Sequence, residues 1–246
     1  MALKEDFEQQ GNWLFRYRSF LPIGILLIGL MVFIHSTLVH HALVCTDTYY
    51  EFIFLMVSLL GLGIRIYTVG YTPKNTSGRN TAEGQVADTL NTTGIYSIVR
   101  HPLYLGNFFM WLGPALYTRN PGFIIAFILF YWLYYERIMY AEERFLERKF
   151  GQKYIDWAKR TPTFIPDFRG FQKSNVNFSF KKVLKKEKNG LFAVFFIFAL
   201  FDLVGELLRS HKDFNYFYFV GFVITLLLYV VLKILKVKTR YLEETR

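Results

Sequence analysis

Cysteine is nearly absent: Cys45 is the only one among 246 residues, which excludes an intrachain disulfide and any cysteine-cluster metal site. No metal is expected. Acidic residues are scarce too, 19 Asp and Glu against 29 Lys and Arg, for a net charge of +10. In a soluble chain that excess would point to nucleic acid. Here most of the basic residues stand between apolar runs, so nucleic acid is not expected as a partner. No internal repeat is visible, which argues against a transporter built from related halves. The first apolar run follows a segment of mixed charge and lacks a small-residue cleavage site, so it is expected to be retained.

What the chain has in excess is apolar and aromatic surface: 53% of residues are hydrophobic, with 27 Phe and 17 Tyr. Apolar runs at about 20–39, 50–70, 103–118, 123–140, 191–208 and 214–235 are of membrane-spanning character. The expected fold is all-α, a polytopic transmembrane helical bundle of about six spans, with a cytoplasmic amphipathic helix and an extended proline segment. Pro22 suits the first turn of the first span, and Gly61 and Gly63 in the second mark close helix packing. Residues 1–18 are polar, and the aromatic-basic run Trp13 to Arg18 suits a membrane interface. From Ala141 the pattern becomes that of a charged amphipathic helix with Phe145, Leu146 and Phe150 on its apolar face, capped by Gly151. Thr161 to Pro166 is forced to extend by its two prolines. Four regions result: 1–49 with the first span, a core of 50–171, a lysine-rich linker at 172–190, and two further spans with a basic tail in 191–246.

Orientation follows from where Lys and Arg fall. Three precede the first span, three lie in the 71–102 loop, 13 in 141–190 and five from Lys233 onward, making 24 of the 29 on one side. Arg119, Arg209 and Lys212 fall on the other, and Arg65 and Arg137 lie within spans. The rule that basic loops stay inside places both termini and the polar 71–102 loop in the cytosol. The glycosylation patterns at Asn75, Asn91 and Asn177 are therefore expected to be unused.

Two charged features stand at the cytosolic ends of apolar runs. In Arg100-His101-Pro102, Pro102 suits the first helical position, and a helix N-terminus offers unpaired N–H groups to a carboxylate or phosphate. Gly106, one turn on, leaves room for a ligand or a helix. Glu142-Glu143 follows one hydrophobic hairpin later. Taken singly, Arg100 also fits an ordinary membrane anchor and the Glu pair a solvated helix face. Glu136, Arg137, Arg65, Asp202 and Glu206 are further ionisable groups at membrane depth, where function is the default reading.

The motifs together are more specific. Gly94-Ile95-Tyr96-Ser97-Ile98-Val99-Arg100-His101-Pro102-Leu103-Tyr104-Leu105-Gly106 resembles the signature shared by the isoprenylcysteine carboxyl methyltransferase and phospholipid methyltransferase families. So does the stretch from Glu142 through Phe150, Gly151 and Tyr154, followed by Pro162 and Pro166. The resemblance covers roughly residues 50–170. It implies an integral membrane enzyme that uses S-adenosylmethionine. It also implies that His101 lies against the cofactor, that backbone near Tyr104, Leu105 and Gly106 forms its pocket, and that Glu142 and Glu143 bind its polar end. Arg169, after the second proline, is implied as an acceptor-site cation, with Arg100 as a second group able to hold an anionic acceptor.

The implied reaction is methyl transfer, O-methylation favoured, to a lipid or lipid-anchored acceptor at the cytoplasmic leaflet. A prenylated cysteine carboxylate, a lipid phosphate and a phospholipid amine are the candidates, and the loop-and-linker pattern suggests a bacterial inner membrane. The methyl of a sulfonium is already activated, so in-line displacement asks chiefly for alignment. The alternatives are an NADPH-dependent sterol or isoprenoid reductase, whose Arg-His-Pro-type stretch is similar, and a non-enzymatic membrane protein.

Overall fold

A computed structural model describes residues 2–18, 20–39, 48–73, 76, 79–81, 84–208 and 216–239. Cys45, Asn75, Arg209, Lys212 and the tail from Arg240 lie outside the described residues. The chain forms α1 (Leu3–Tyr17), α2 (Leu21–Val39), α3 (Thr48–Gly70), α4 (Pro102–Tyr117), α5 (Pro121–Phe150), α6 (Gln152–Ala158), α7 (Phe180–Leu208) and α8 (Tyr216–Lys238). A two-stranded antiparallel ribbon, β1 (Arg79–Thr81) and β2 (Gly84–Val86), interrupts the polar loop, with Asn80 opposite Gln85.

Among the described residues five helices are long and apolar enough to cross a bilayer: α2, α3, α5, α7 and α8. The expected third span is α4. At 16 residues it rises ~24 Å against a hydrocarbon core of ~30 Å. It is held instead by burial against α3. A side chain on Gly61 would place its Cβ 2.4 Å from the Gly106 carbonyl oxygen, and one on Gly113 would lie 2.1 Å from Ser58 Oγ. Ser58 Oγ donates to the Met110 carbonyl at 2.9 Å. Small residues let the two backbones touch, as expected for Gly61, whereas a Cβ on Gly63 would meet nothing within 4 Å.

Two elements continue further than their sequence pattern suggests. α5 starts where Asn120 Oδ1 accepts the Phe123 N–H at 2.9 Å and runs unbroken for 30 residues, to Gly151 at φ 55°. The amphipathic stretch expected from Ala141 is therefore the C-terminal end of the fourth span itself. α7 begins at Phe180, inside the lysine-rich stretch 172–190. Lys182 is buried, and its Nζ donates to the carbonyls of Thr72 and Pro73, just past the end of α3. An ammonium there binds carbonyls of the turn that follows the helix, at the negative end of its dipole.

A second tie joins α7 to the core. Arg65 on α3 donates through Nε and Nη2 to the two carboxylate oxygens of Glu187, 2.8 Å each, and through Nη1 to Asn107 Oδ1 on α4 at 2.6 Å. Glu187 is only 4% exposed. α1 runs antiparallel along the C-terminal half of α5: Glu8 pairs with Arg148 at 2.5 Å, and Leu14 O accepts the Tyr134 hydroxyl at 3.3 Å. Aromatic rings fill one core cluster, where Phe15, Tyr104, Tyr131, Tyr134 and Tyr135 meet. A second, built from α2, α3, α4, α7 and α8, centres on Phe33, Tyr117, Phe198, Phe201 and Tyr218.

Candidate functional site

The chain enters α4 through an extended corner. Pro102 takes the first helical position and His101 the cap, at φ −121° and ψ 60°. The proline segment lies alongside this corner as an added strand would. Arg100 N–H donates to the Pro162 carbonyl at 2.9 Å, His101 N–H to that of Thr163 at 3.2 Å, and Asp167 N–H to that of Ile98 at 3.0 Å. Trp157 Nε1 donates to the Tyr96 carbonyl at 2.9 Å. Because prolines cannot donate, Pro162 presents only its carbonyl, which is what Arg100 N–H takes up.

α5 brings Glu142 and Glu143 to that corner. His101, 6% exposed, lies with Nε2 2.9 Å from Glu143 Oε1 and Nδ1 3.5 Å from Glu142 Oε2. Arg100 Nη1 donates to Glu143 Oε2 at 2.7 Å, and its Nη2 to Thr163 Oγ1. The Tyr104 hydroxyl donates to Glu142 Oε2 at 2.9 Å, and its ring stacks on His101 at 5.6 Å. Burial pushes the His101 imidazole toward neutrality. The hydrogen bonds and charges of Glu142 and Glu143 outweigh it and hold the pKa above the ordinary histidine value. On α6, burial beside Glu143 pushes the Tyr154 hydroxyl well above the usual phenol range.

These groups line a cleft of about 730 Å³, measured out to its open mouth. Its other walls come from Phe15 on α1, the Gln85–Asn91 segment after the ribbon turn, Phe145 and Leu146 on α5, and Tyr154 and Trp157 on α6. Two buried polar atoms on these walls have no hydrogen-bond partner: Arg100 Nε, a donor, and Gln85 Oε1, an acceptor. Buried groups of this kind are normally satisfied, so each has capacity for a bound molecule.

Of the expected site residues, the structure brings together Arg100, His101, Tyr104, Glu142 and Glu143. It does not bring in the other three. Leu105 is buried away from the cleft lining. Gly106 faces α3, where a Cβ would lie 2.6 Å from Arg65 Cγ, so its missing side chain admits a helix and not a ligand. Arg169 is 95% exposed, with Asp167 Oδ1 3.9 Å away. Phe15, Gln85, Trp157 and Thr163 are the residues that motif reading did not assign. For Phe15 a signal was present: Phe7, Gly11, Leu14 and Phe15 fall on one face at helical spacing. Among the described residues no group of three His, Cys, Asp or Glu is placed to hold a metal.

Residues 55–153 match the phospholipid methyltransferase family model. A protein-S-isoprenylcysteine O-methyltransferase of Tribolium castaneum is 31% identical over 118 residues, 48% of this chain and 42% of that protein. Protein-S-isoprenylcysteine O-methyltransferase B of Arabidopsis thaliana is 42% identical over 79 residues, 31% of this chain and 39% of that protein. The nickel-cobalt-cadmium resistance protein NccN of Alcaligenes xylosoxydans xylosoxydans is 33% identical over 132 residues, 53% of this chain and 58% of that protein. The chain thus spans about two fifths of those two methyltransferases and somewhat over half of the resistance protein. No solved structure matches. The family resemblance carried by Arg100–Gly106 and the Glu142 stretch is borne out over residues 55–153, and α1, α2, α7 and α8 lie outside that stretch.

Proposed function

We propose that this protein is a multi-pass membrane methyltransferase that uses S-adenosylmethionine and methylates an oxygen of a lipid or lipid-anchored acceptor at the cytoplasmic leaflet. The observation that carries this reading is the paired carboxylates of Glu142 and Glu143, set against His101 and Arg100 at the cytosolic end of an apolar helix. The donor set fits the cofactor. Glu142 and Glu143 are suited to an ammonium or to ribose hydroxyls, Gln85 Oε1 to an N–H or O–H donor, and Arg100 Nε to a carboxylate. When bound, the cofactor supplies a methyl group already activated by its sulfonium. The chain's own part is to orient, to exclude water and to hold charge. Phe15, Tyr104 and Trp157 form apolar walls, in which the carboxylates act more strongly than in water.

Arg169 is proposed as a headgroup contact. Its exposed side chain stands among exposed Ile165, Phe168 and Phe171, an aromatic and basic pattern suited to the lipid interface. The distribution of Lys and Arg supports a cytosolic position for both termini, and a bacterial inner membrane is the proposed location. The names of the two methyltransferase relatives make a prenylated cysteine carboxylate the first acceptor to test, followed by lipid phosphate and phospholipid amine. An anionic pair is a poor seat for the phosphates of a dinucleotide, which argues against the NADPH-dependent reductase.

The test is binding and turnover in detergent. Purified protein is titrated with S-adenosylmethionine by calorimetry, then assayed for S-adenosylhomocysteine release with each acceptor class. Binding that is lost in Glu142→Gln, with release on one acceptor class, is the expected result. Failure of the wild type to bind would remove the proposal.

A further inference from the structure

α1 lies outside residues 55–153, the stretch that matches the family model, yet it closes one side of the cleft. Phe15, 3% exposed overall, contributes to the cleft wall beside Tyr104 and Glu142. The Arg18 guanidinium stacks on its ring at 3.9 Å. Further back along the helix, Gly11 touches α5 directly: a Cβ there would lie 2.1 Å from the Arg137 carbonyl oxygen and 2.7 Å from Ala141 Cβ. Ala141 is the residue before Glu142, so α1 touches α5 on the turn that leads into the carboxylate pair. Phe7 seals the far side, with the Arg137 guanidinium 3.5 Å above its ring and Tyr140 edge-on at 6.0 Å. Asn12 Oδ1 accepts from Gln85 Nε2 at 3.4 Å, joining α1 to the segment that carries the unpartnered Gln85 Oε1.

We propose that α1 is a clamp on the cofactor end of the cleft, with Phe15 as a positioning residue for the ligand and Gly11 as the position that lets the clamp seat. The proposal rests on reading the cleft as an S-adenosylmethionine site. Its physical content is that Phe15 keeps water from the Glu142 side while docking at Gly11 fixes the turn of α5 bearing both carboxylates. A methyltransferase core without this helix would hold the same acidic pair in a wetter and looser setting.

The probe is S-adenosylhomocysteine, titrated into the full-length protein in detergent. Phe15→Ala is expected to weaken binding roughly fivefold to tenfold, the scale of one lost aromatic contact, and Phe15→Leu to recover most of it. Gly11→Val should weaken binding at least as much, because it pushes α1 off α5. Should Gly11→Val not fold, the Glu8–Arg148 pair gives the same information. Glu8→Arg and Arg148→Glu each lower affinity by about twofold to threefold, on the scale of a surface pair, and the double swap restores it. That restoration shows that the effect runs through the contact between α1 and α5 and not through either side chain alone. Unchanged binding in Phe15→Ala, or loss in Phe15→Leu as complete as in Phe15→Ala, overturns the proposal. If the wild type binds no S-adenosylhomocysteine, the functional reading falls instead, so the two failures are distinguishable.

Discussion

Removing the Glu187 carboxylate is the sharpest test of how α7 is held. Glu187 is 4% exposed and Arg65 22%, and the two share a fork of two 2.8 Å hydrogen bonds. Breaking such a pair from one side leaves a guanidinium without its counter-charge, at a cost of ~3–5 kcal/mol for fully buried pairs. Arg65 keeps Asn107 Oδ1 at 2.6 Å and is partly exposed, so Glu187→Ala is placed near the lower limit, about 3 kcal/mol. At ~2–4 °C per kcal/mol for a chain of this length, the apparent Tm falls by ~6–12 °C. The assay is thermal unfolding in one detergent at one scan rate, since membrane-protein unfolding is often irreversible. Arg65→Met with Glu187→Leu removes both charges together and should return Tm to within a few degrees, because a well-packed apolar pair is commonly as stable as the ion pair it replaces. A single substitution as mild as a surface change, or a double variant no better than the single, would refute the reasoning.

Three further outcomes are expected. His101 has its folded pKa above the unfolded value of 6.5, so its contribution to stability is complete below about 6.5 and is lost as pH rises through the folded value. Tm should therefore drop over that alkaline interval in the wild type and not in His101→Gln, measured by scans from pH 6 to pH 9. Gly113→Val sets a Cβ against Ser58 Oγ and the Phe54 carbonyl, which should cost about 1–3 kcal/mol, the range for overpacking, in the same thermal assay. Arg169→Ala should leave S-adenosylhomocysteine binding unchanged, because the side chain is exposed. It should lower turnover on an anionic acceptor in vesicles about fivefold, as one interfacial cation is worth ~1 kcal/mol.

The parts of the site that could be read from sequence are those whose chemistry is written locally. Arg100, His101 and Pro102 mark a helix start with a charged lip. Glu142 and Glu143 close a hydrophobic hairpin, and Pro162 with Pro166 dictates an extended segment. The parts that could not be read depend on what lies across the fold. Gly106 has no side chain in either reading, and only the position of Arg65 and Gly61 shows that α3 fills the space. Lys182 looks like one more lysine of a solvated run until the carbonyls of Thr72 and Pro73 are found beside it. The charged pattern from Ala141 suggested a new helix, yet nothing between Tyr140 and Glu142 breaks the old one. Neither Gly nor Pro intervenes before Gly151. Phe15 is the most instructive case: its periodicity was present, but the face it covers belongs to a helix more than a hundred residues away.

α5 also acts as a ruler. From Pro121 to Glu142 it climbs 21 residues without interruption, a rise of ~32 Å, or ~30 Å at the average tilt of ~20°. That nearly equals the thickness of the hydrocarbon core, ~30 Å, so with Pro121 at one face of a bilayer the proposed reading sets the carboxylates at the headgroup level of the other. Under the proposed function, an acceptor anchored in the leaflet would meet them only if its reactive atom lies at that height. A turn added to or removed from α5 below Glu142 would move the level by ~5 Å and change which headgroup reaches it, with every side chain of the cleft left in place.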